Sequence, residues 1–117
     1  MSLIYPELSQ RIDEMSDGDE EFKKELTQAI FVGLKELKQF YSDGMVQRDL
    51  EIIQQIRHKV KPTLGMFEFD DLANSLQNGK EILESAGFGT EFQTHFDDFI
   101  RQVDRAIEEV KKLVDHI

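Results

Sequence analysis

The sequence predicts an all-α protein, an antiparallel up-down four-helix bundle with a short extra helix at its N-terminus. Helix-breaking residues are sparse, because the 117 residues include two prolines and the glycines fall mostly at expected helix ends. Between these breaks, apolar residues recur at the three- to four-residue spacing of a helix, and no stretch alternates as a strand does. The connecting segments are short, which favours antiparallel neighbours. We expect one domain spanning residues 1–117.

Two helices are predicted in the first part of the chain. The segment 6–15 begins with proline, which suits a first helical turn, and carries Leu8 and Ile12 at helical spacing. Residues 16–19 offer side chains that cap a second, long helix, and residues 42–44 are expected to end it. Its apolar stripe consists of Phe22, Leu26, Ala29, Ile30, Gly33, Leu34, Leu37 and Tyr41.

Three further helices follow. Asp49 is expected to cap the third, whose inward positions are Ile53, Ile56, Val60, Leu64 and Phe67. The fourth is expected to end at residues 86–89, and its apolar positions are Phe69, Leu72, Leu76 and Leu83. Thr90 is predicted to cap the fifth, whose buried face is Phe92, Phe96, Phe99, Val103, Ile107, Val110 and Leu113.

Composition excludes several classes of function. The formal net charge of -10 argues against nucleic acid as the main ligand, because phosphate contacts need a basic face. The sequence has no long apolar run and no signal-peptide pattern, so we expect a cytoplasmic protein that does not bind membranes. It has no cysteine, and its three scattered histidines lack metal-site spacing. We expect no metal, no cofactor and a monomer.

One basic segment stands out on this acidic chain. Residues 52–67 contain no carboxylate, and within them Arg57, Lys59 and Lys61 surround His58. A positive segment on an acidic protein indicates a negatively charged partner.

Helical geometry turns His58 towards solvent. At about 100° per residue, it lies nearly opposite the apolar positions of the third helix. Pro62 and Gly65 follow on the same outward stripe and carry no long side chain, so a partner can approach the ring. Exposed imidazole is a suitable phosphoryl acceptor, because much of it is neutral and nucleophilic at physiological pH. Lys61, three residues on, lies within reach to balance phosphoryl charge. The predicted partner-docking residues are Gln54, Arg57, Lys59, Pro62 and Gly65.

At these residues the sequence resembles the histidine phosphotransfer family. Its motif is histidine, any residue, an apolar residue, lysine, glycine and further small residues, and the matching positions are His58, Val60, Lys61 and Gly65. Flanking positions agree as well, namely residues 18–22, Asp49, Phe67, Phe69 and Leu72. The resemblance covers roughly residues 5–83, and the last helix agrees in kind. It implies a four-helix bundle that takes a phosphoryl group from a receiver aspartate and passes it to another.

Two positions depart from the family pattern. Pro62 replaces the glycine that usually follows the lysine, and Glu68 replaces a later glycine. Because proline removes the hydrogen bond to the carbonyl of His58, we expect a kink or local loosening there and a bias of Lys61 away from helical geometry. The family often sets a polar side chain from the next helix beside the ring, for which the candidates are Gln77 and Lys80.

Other interpretations remain open. The phosphoacceptor box of sensor histidine kinases is similar, but its register differs by one and Lys59 stands where that box has an acidic base. No length remains for an ATP-binding domain, so we predict no autokinase activity and no enzyme. The predicted function is phosphoryl carriage between response-regulator receiver domains, with a hybrid sensor kinase as a further candidate partner. The alternatives are a non-phosphorylated binding module that docks on receiver or kinase domains, and a purely structural bundle.

We expect His95 to be a boundary residue with a satisfied ring, and His116 to be solvated.

Overall fold

The computed structural model describes residues 3–116, and in this range the protein is all-helical, without a β-strand. Its helices are α1 (Leu8–Ser16), α2 (Glu20–Gln47), α3 (Leu50–Met66), α4 (Asp70–Ala86) and α5 (Thr90–Asp115). The predicted all-α class and all five predicted helices are therefore confirmed. Helix α2 packs against α1, α3 and α5, and α4 packs against α3 and α5. No helix in this range combines the length and apolar character needed to cross a membrane.

The core follows the helical period predicted from the sequence. Every inward position predicted for α3 is buried. The stripe predicted for α2 is partly wrong, because the buried positions of that helix form a narrower seam of Thr27, Ile30, Leu34, Leu37, Tyr41 and Gly44. Phe22 and Ala29, which were predicted to face inward, are both exposed, Phe22 by 43%.

The predicted end of α2 at residues 42–44 is wrong, because Gly44 does not end the helix. The helix continues through residues 42–44 to Gln47 and ends at Arg48, which has the left-handed φ of 54°. Gly44 is buried inside the helix, where a Cβ would lie 2.6 Å from Cδ1 of Ile53. This glycine therefore allows close approach of α2 and α3 and is not a stop signal.

The capping predictions had mixed outcomes. The Asp49 carboxylate caps α3 by accepting from the backbone N–H groups of Glu51 and Ile52. Thr90 is not a cap, because Gly89 precedes the helix in extended backbone and Thr90 is already its first residue. Helix α1 starts two residues later than predicted, since a turn closed by the N–H of Leu8 and the carbonyl of Tyr5 comes before it.

Glu68, which stands where the family pattern has a glycine, lies in the turn between α3 and α4. This residue has a φ of 57°, in the left-handed region that favours glycine. Its carboxylate pairs with Arg11 of α1. Nearby, the Tyr5 hydroxyl donates to the Asp71 carboxylate at 2.8 Å, and its ring meets Phe69 edge-on at 4.6 Å between centroids. Contacts with the N-terminal segment thus surround a turn built without glycine.

Candidate functional site

His58 is exposed on the outer side of α3, while Ile56 and Val60 on either side of it are buried. The helix runs from Leu50 to Met66 with Pro62 inside it. The expected bias of Lys61 away from helical geometry is therefore wrong, since Lys61 lies within continuous helix. Pro62 removes one N–H from the backbone ladder, but the neighbouring turns sustain the helix for four more residues.

The basic side chains around His58 point in different directions. Lys59 turns towards α2, where its Nζ pairs with Oε2 of Glu36 at 2.7 Å. Arg57 is half-buried and turns towards α4. Lys61 is exposed, and no carboxylate oxygen of residues 3–116 lies within 4.0 Å of it. Among residues 3–116, no acid therefore pairs with the cation that we expect to balance a phosphoryl group.

The two candidate residues of α4, Gln77 and Lys80, differ in their exposure. Gln77 of α4 is exposed, whereas Lys80 is half-buried and lines a small cavity together with Arg57 and Gln54. Lys80 thus approaches the basic segment from the facing helix. The cavity does not include His58.

The surface beyond His58 is low because of Pro62 and Gly65, which are both exposed. A Cβ built on Gly65 meets no heavy atom within 4 Å, and its φ lies outside the left-handed region. Neither packing nor backbone conformation therefore requires glycine there. A glycine in a helix interior costs about 1 kcal/mol relative to alanine. The absence of a side chain at Gly65 thus leaves the surface beside His58 low without improving the packing of the helix.

An apolar groove between α2 and α3 lies on the Lys59 side of His58. Two cavities of about 280 and 300 Å³ adjoin Lys59, and Val32 and Phe40 line one each. These two side chains are 41% and 43% exposed. We missed this groove in the sequence, although apolar residues off the buried stripe of α2 were a usable signal.

His95 is deeper than predicted. It is 6% exposed, and its Nε2 shares a hydrogen bond of 2.8 Å with the hydroxyl of Tyr41. Its ring is satisfied as expected, but it belongs to the core and not to the boundary. Burial lowers the pKa of His95, and the nearby Asp98 carboxylate partly opposes this. Burial likewise raises the pKa of Tyr41, and the Arg57 guanidinium opposes that rise.

The lowered pKa of His95 makes stability pH-dependent. Below about pH 6.5, the ordinary value for histidine, the unfolded chain binds a proton at this residue more readily than the folded chain. Its contribution to the free energy of unfolding is thus complete above that pH and falls as pH drops towards the folded pKa. We expect urea unfolding of wild type to show this loss between about pH 7.5 and about pH 5.5. His95→Gln should show a smaller loss, and an equal loss in both proteins would contradict this assignment.

The described residues also bear on metal binding. Within residues 3–116, no group of three or more histidine, aspartate or glutamate side chains is arranged to hold a metal ion.

Comparison with protein-family models gives no match, and comparisons with curated proteins and with solved structures give none either. The histidine phosphotransfer assignment therefore stays a prediction carried by the residues of α2, α3 and α4.

Proposed function

We propose that this protein is a phosphocarrier of a multistep phosphorelay, with His58 as its phosphoacceptor. The observation that carries the proposal is an exposed imidazole with Lys61 three residues on in the same continuous helix. The low surface at Pro62 and Gly65 supports it, because an in-line transfer needs a second protein to bring its aspartate against the ring.

The proposed architecture is an antiparallel up-down four-helix bundle formed by α2 to α5, with α1 as the extra helix. Two residues join α2 to α3, and three residues join each later pair of helices. Connections this short favour antiparallel neighbours. The packing of α2 on α3 and α5, and of α4 on the same two helices, fits a closed bundle.

The proposed reaction is a reversible phosphoryl transfer. An imidazole nitrogen of His58 attacks the phosphorus of a receiver's aspartyl phosphate. The N–P bond forms as the P–O bond breaks, and the electron pair of that bond leaves with the aspartate carboxylate. Lys61 stabilises the negative charge on the phosphoryl oxygens during the step. The reverse step delivers the group to the aspartate of a second receiver. The chain needs no nucleotide for either step.

Docking would use both sides of α3. The predicted docking residues are Gln54, Arg57, Lys59, Pro62 and Gly65, and the groove beside Val32 and Phe40 offers apolar surface for a partner helix. Because Lys59 is paired with Glu36, the carboxylate partly cancels its attraction for an acidic partner. Arg57 and Lys61 would therefore contribute more to electrostatic attraction.

Two substitutions of Gly65 distinguish an effect on folding from an effect on docking. We expect Gly65→Ala to raise the free energy of unfolding by up to about 1 kcal/mol, because alanine favours the helix and its Cβ has free space. Gly65→Gln should slow phosphoryl transfer from a receiver at least several-fold, because its side chain obstructs approach to His58. Thr94→Gln, at an exposed position of α5, is the matched control for added bulk. Unchanged transfer by Gly65→Gln would contradict docking over this surface.

The proposal is tested by incubating the protein with a broad panel of receivers carrying a radiolabelled phosphoryl group. We expect label to move to this chain in a form that is labile to acid and stable to alkali, as an N–P bond requires. If no receiver of the panel delivers label, phosphoryl carriage is wrong.

The second candidate function is a binding module that docks on receiver or kinase domains without carrying phosphate. The groove at Val32 and Phe40 favours it, since apolar docking surface needs no phosphoryl chemistry. Saturable receiver binding by wild type, with no transferred label, would select this function over phosphoryl carriage.

A further inference from the structure

A small cavity between α3 and α4, which we call the α3–α4 notch, is lined by one cation from each helix. Arg57 from α3 and Lys80 from α4 both line it, and both are half-buried. No carboxylate oxygen of residues 3–116 lies within 4.0 Å of either side chain. The chain has 24 acidic and 14 basic residues, so carboxylates are plentiful on its surface. Two like charges that line one cavity repel each other, and an anion bound between them would offset that repulsion.

The other walls of the α3–α4 notch indicate which anion fits. The buried side chains of Ile53 and Leu83 form an apolar floor, Leu50 also lines the notch although it is 48% exposed, and Gln54 adds an amide. The exposed Glu84 also lines the notch, and its carboxylate is more than 4.0 Å from the charged groups of Arg57 and Lys80. The three side chains together carry a net charge of one positive. A hydrated inorganic anion gains nothing from the floor. The methylene stem of an acidic side chain can pack on it while the carboxylate meets the planar guanidinium and the ammonium.

We propose that the α3–α4 notch binds an acidic side chain presented by a partner protein. Its volume of about 110 Å³ is sufficient for one such carboxylate and its final methylenes. His58 does not line the notch, so the proposal holds whether the chain carries phosphate or only docks. The notch would fix the partner's orientation on α3 and discriminate against partners that have a neutral or basic residue at the contacting position.

The test is an NMR titration with N-acetyl-glutamate N-methylamide, with the glutamine analogue and inorganic phosphate as comparison probes at matched ionic strength. We expect saturable shifts of backbone amides around the notch with the glutamate probe, and weaker binding of the other two. Lys80→Met keeps an unbranched side chain but removes the charge that α4 contributes. Arg57→Met does the same for the charge that α3 contributes. Each should weaken binding of the glutamate probe by about twofold to fivefold, as loss of one partly exposed ion pair implies.

Matched variants make the titration decisive. Lys112→Met removes an exposed charge from α5 and should leave binding unchanged. His58→Gln should also bind the glutamate probe like wild type, which separates failure of the notch from failure of phosphoryl carriage. The proposal is overturned if the glutamate probe gives no saturable shift at the notch. It is equally overturned if folded Lys80→Met and Arg57→Met both bind it like wild type, or if phosphate binds more tightly.

Discussion

His58→Gln will lose all of the acid-labile label that wild type takes from a phosphorylated receiver. Glutamine keeps a polar side chain of similar reach but has no imidazole nitrogen that can form an N–P bond. Because His58 is exposed, the free energy of unfolding should change by less than about 0.5 kcal/mol. The loss of label would then be a loss of chemistry and not of fold, which circular dichroism of the same sample checks.

Two variants bracket this result. His116→Gln removes an exposed imidazole near the end of the chain and should keep the label in full. Lys61→Met keeps His58 but removes the nearby ammonium, so label should still appear, at a lower rate. Label that persists in folded His58→Gln would show that another residue is the acceptor. A rate unchanged by Lys61→Met would remove Lys61 from the proposed mechanism.

Gly79→Ala will destabilise the protein by about 1–3 kcal/mol, as overpacking of a core does. An added Cβ would lie 2.4 Å from Nε2 of His95 and 2.6 Å from the hydroxyl of Tyr41. These two side chains are buried and share a hydrogen bond, so relieving the overlap must disturb that bond or shift α4. We expect this cost to exceed the gain in helix propensity of about 1 kcal/mol from glycine to alanine.

Gly33→Ala is the matched control, because a Cβ at Gly33 meets no heavy atom within 4 Å. There the propensity gain acts alone, and the free energy of unfolding should rise by up to about 1 kcal/mol. Urea unfolding measures both changes, which are comparable if the dependence on denaturant is the same. If Gly79→Ala is as stable as Gly33→Ala, the packing of α4 against Tyr41 and His95 is wrong.

Helical periodicity was sufficient to predict the five helices and the whole buried face of α3, because it depends on residues close together in the sequence. It did not predict where α2 ends. From the neighbouring residues alone, Gly44 resembles a helix end. Glycine is needed there because Ile53 of α3 approaches too closely for a side chain. Thr90 failed as a cap for a local reason, since Gly89 occupies the N-cap position and Thr90 is already the first residue of the helix.

For the candidate site, too, the sequence predicted features that depend on a single helix but not contacts between helices. The exposure of His58 and its spacing to Lys61 follow from the geometry of one helix. The Lys59 to Glu36 pair joins residues 23 apart in sequence, and the bond from Tyr41 to His95 joins residues 54 apart. Such contacts depend on how helices pack, so the sequence pattern could not reveal them. The α3–α4 notch was missed for the same reason.

The most direct test of phosphoryl carriage is NMR of the imidazole nitrogens in protein labelled with ¹⁵N at histidine, before and after loading by a phosphorylated receiver. We predict that one of the three imidazoles acquires phosphorus coupling and that it is His58. Coupling at His95 or His116, or at no imidazole under conditions in which the receiver loses its phosphoryl group to this chain, would contradict the account.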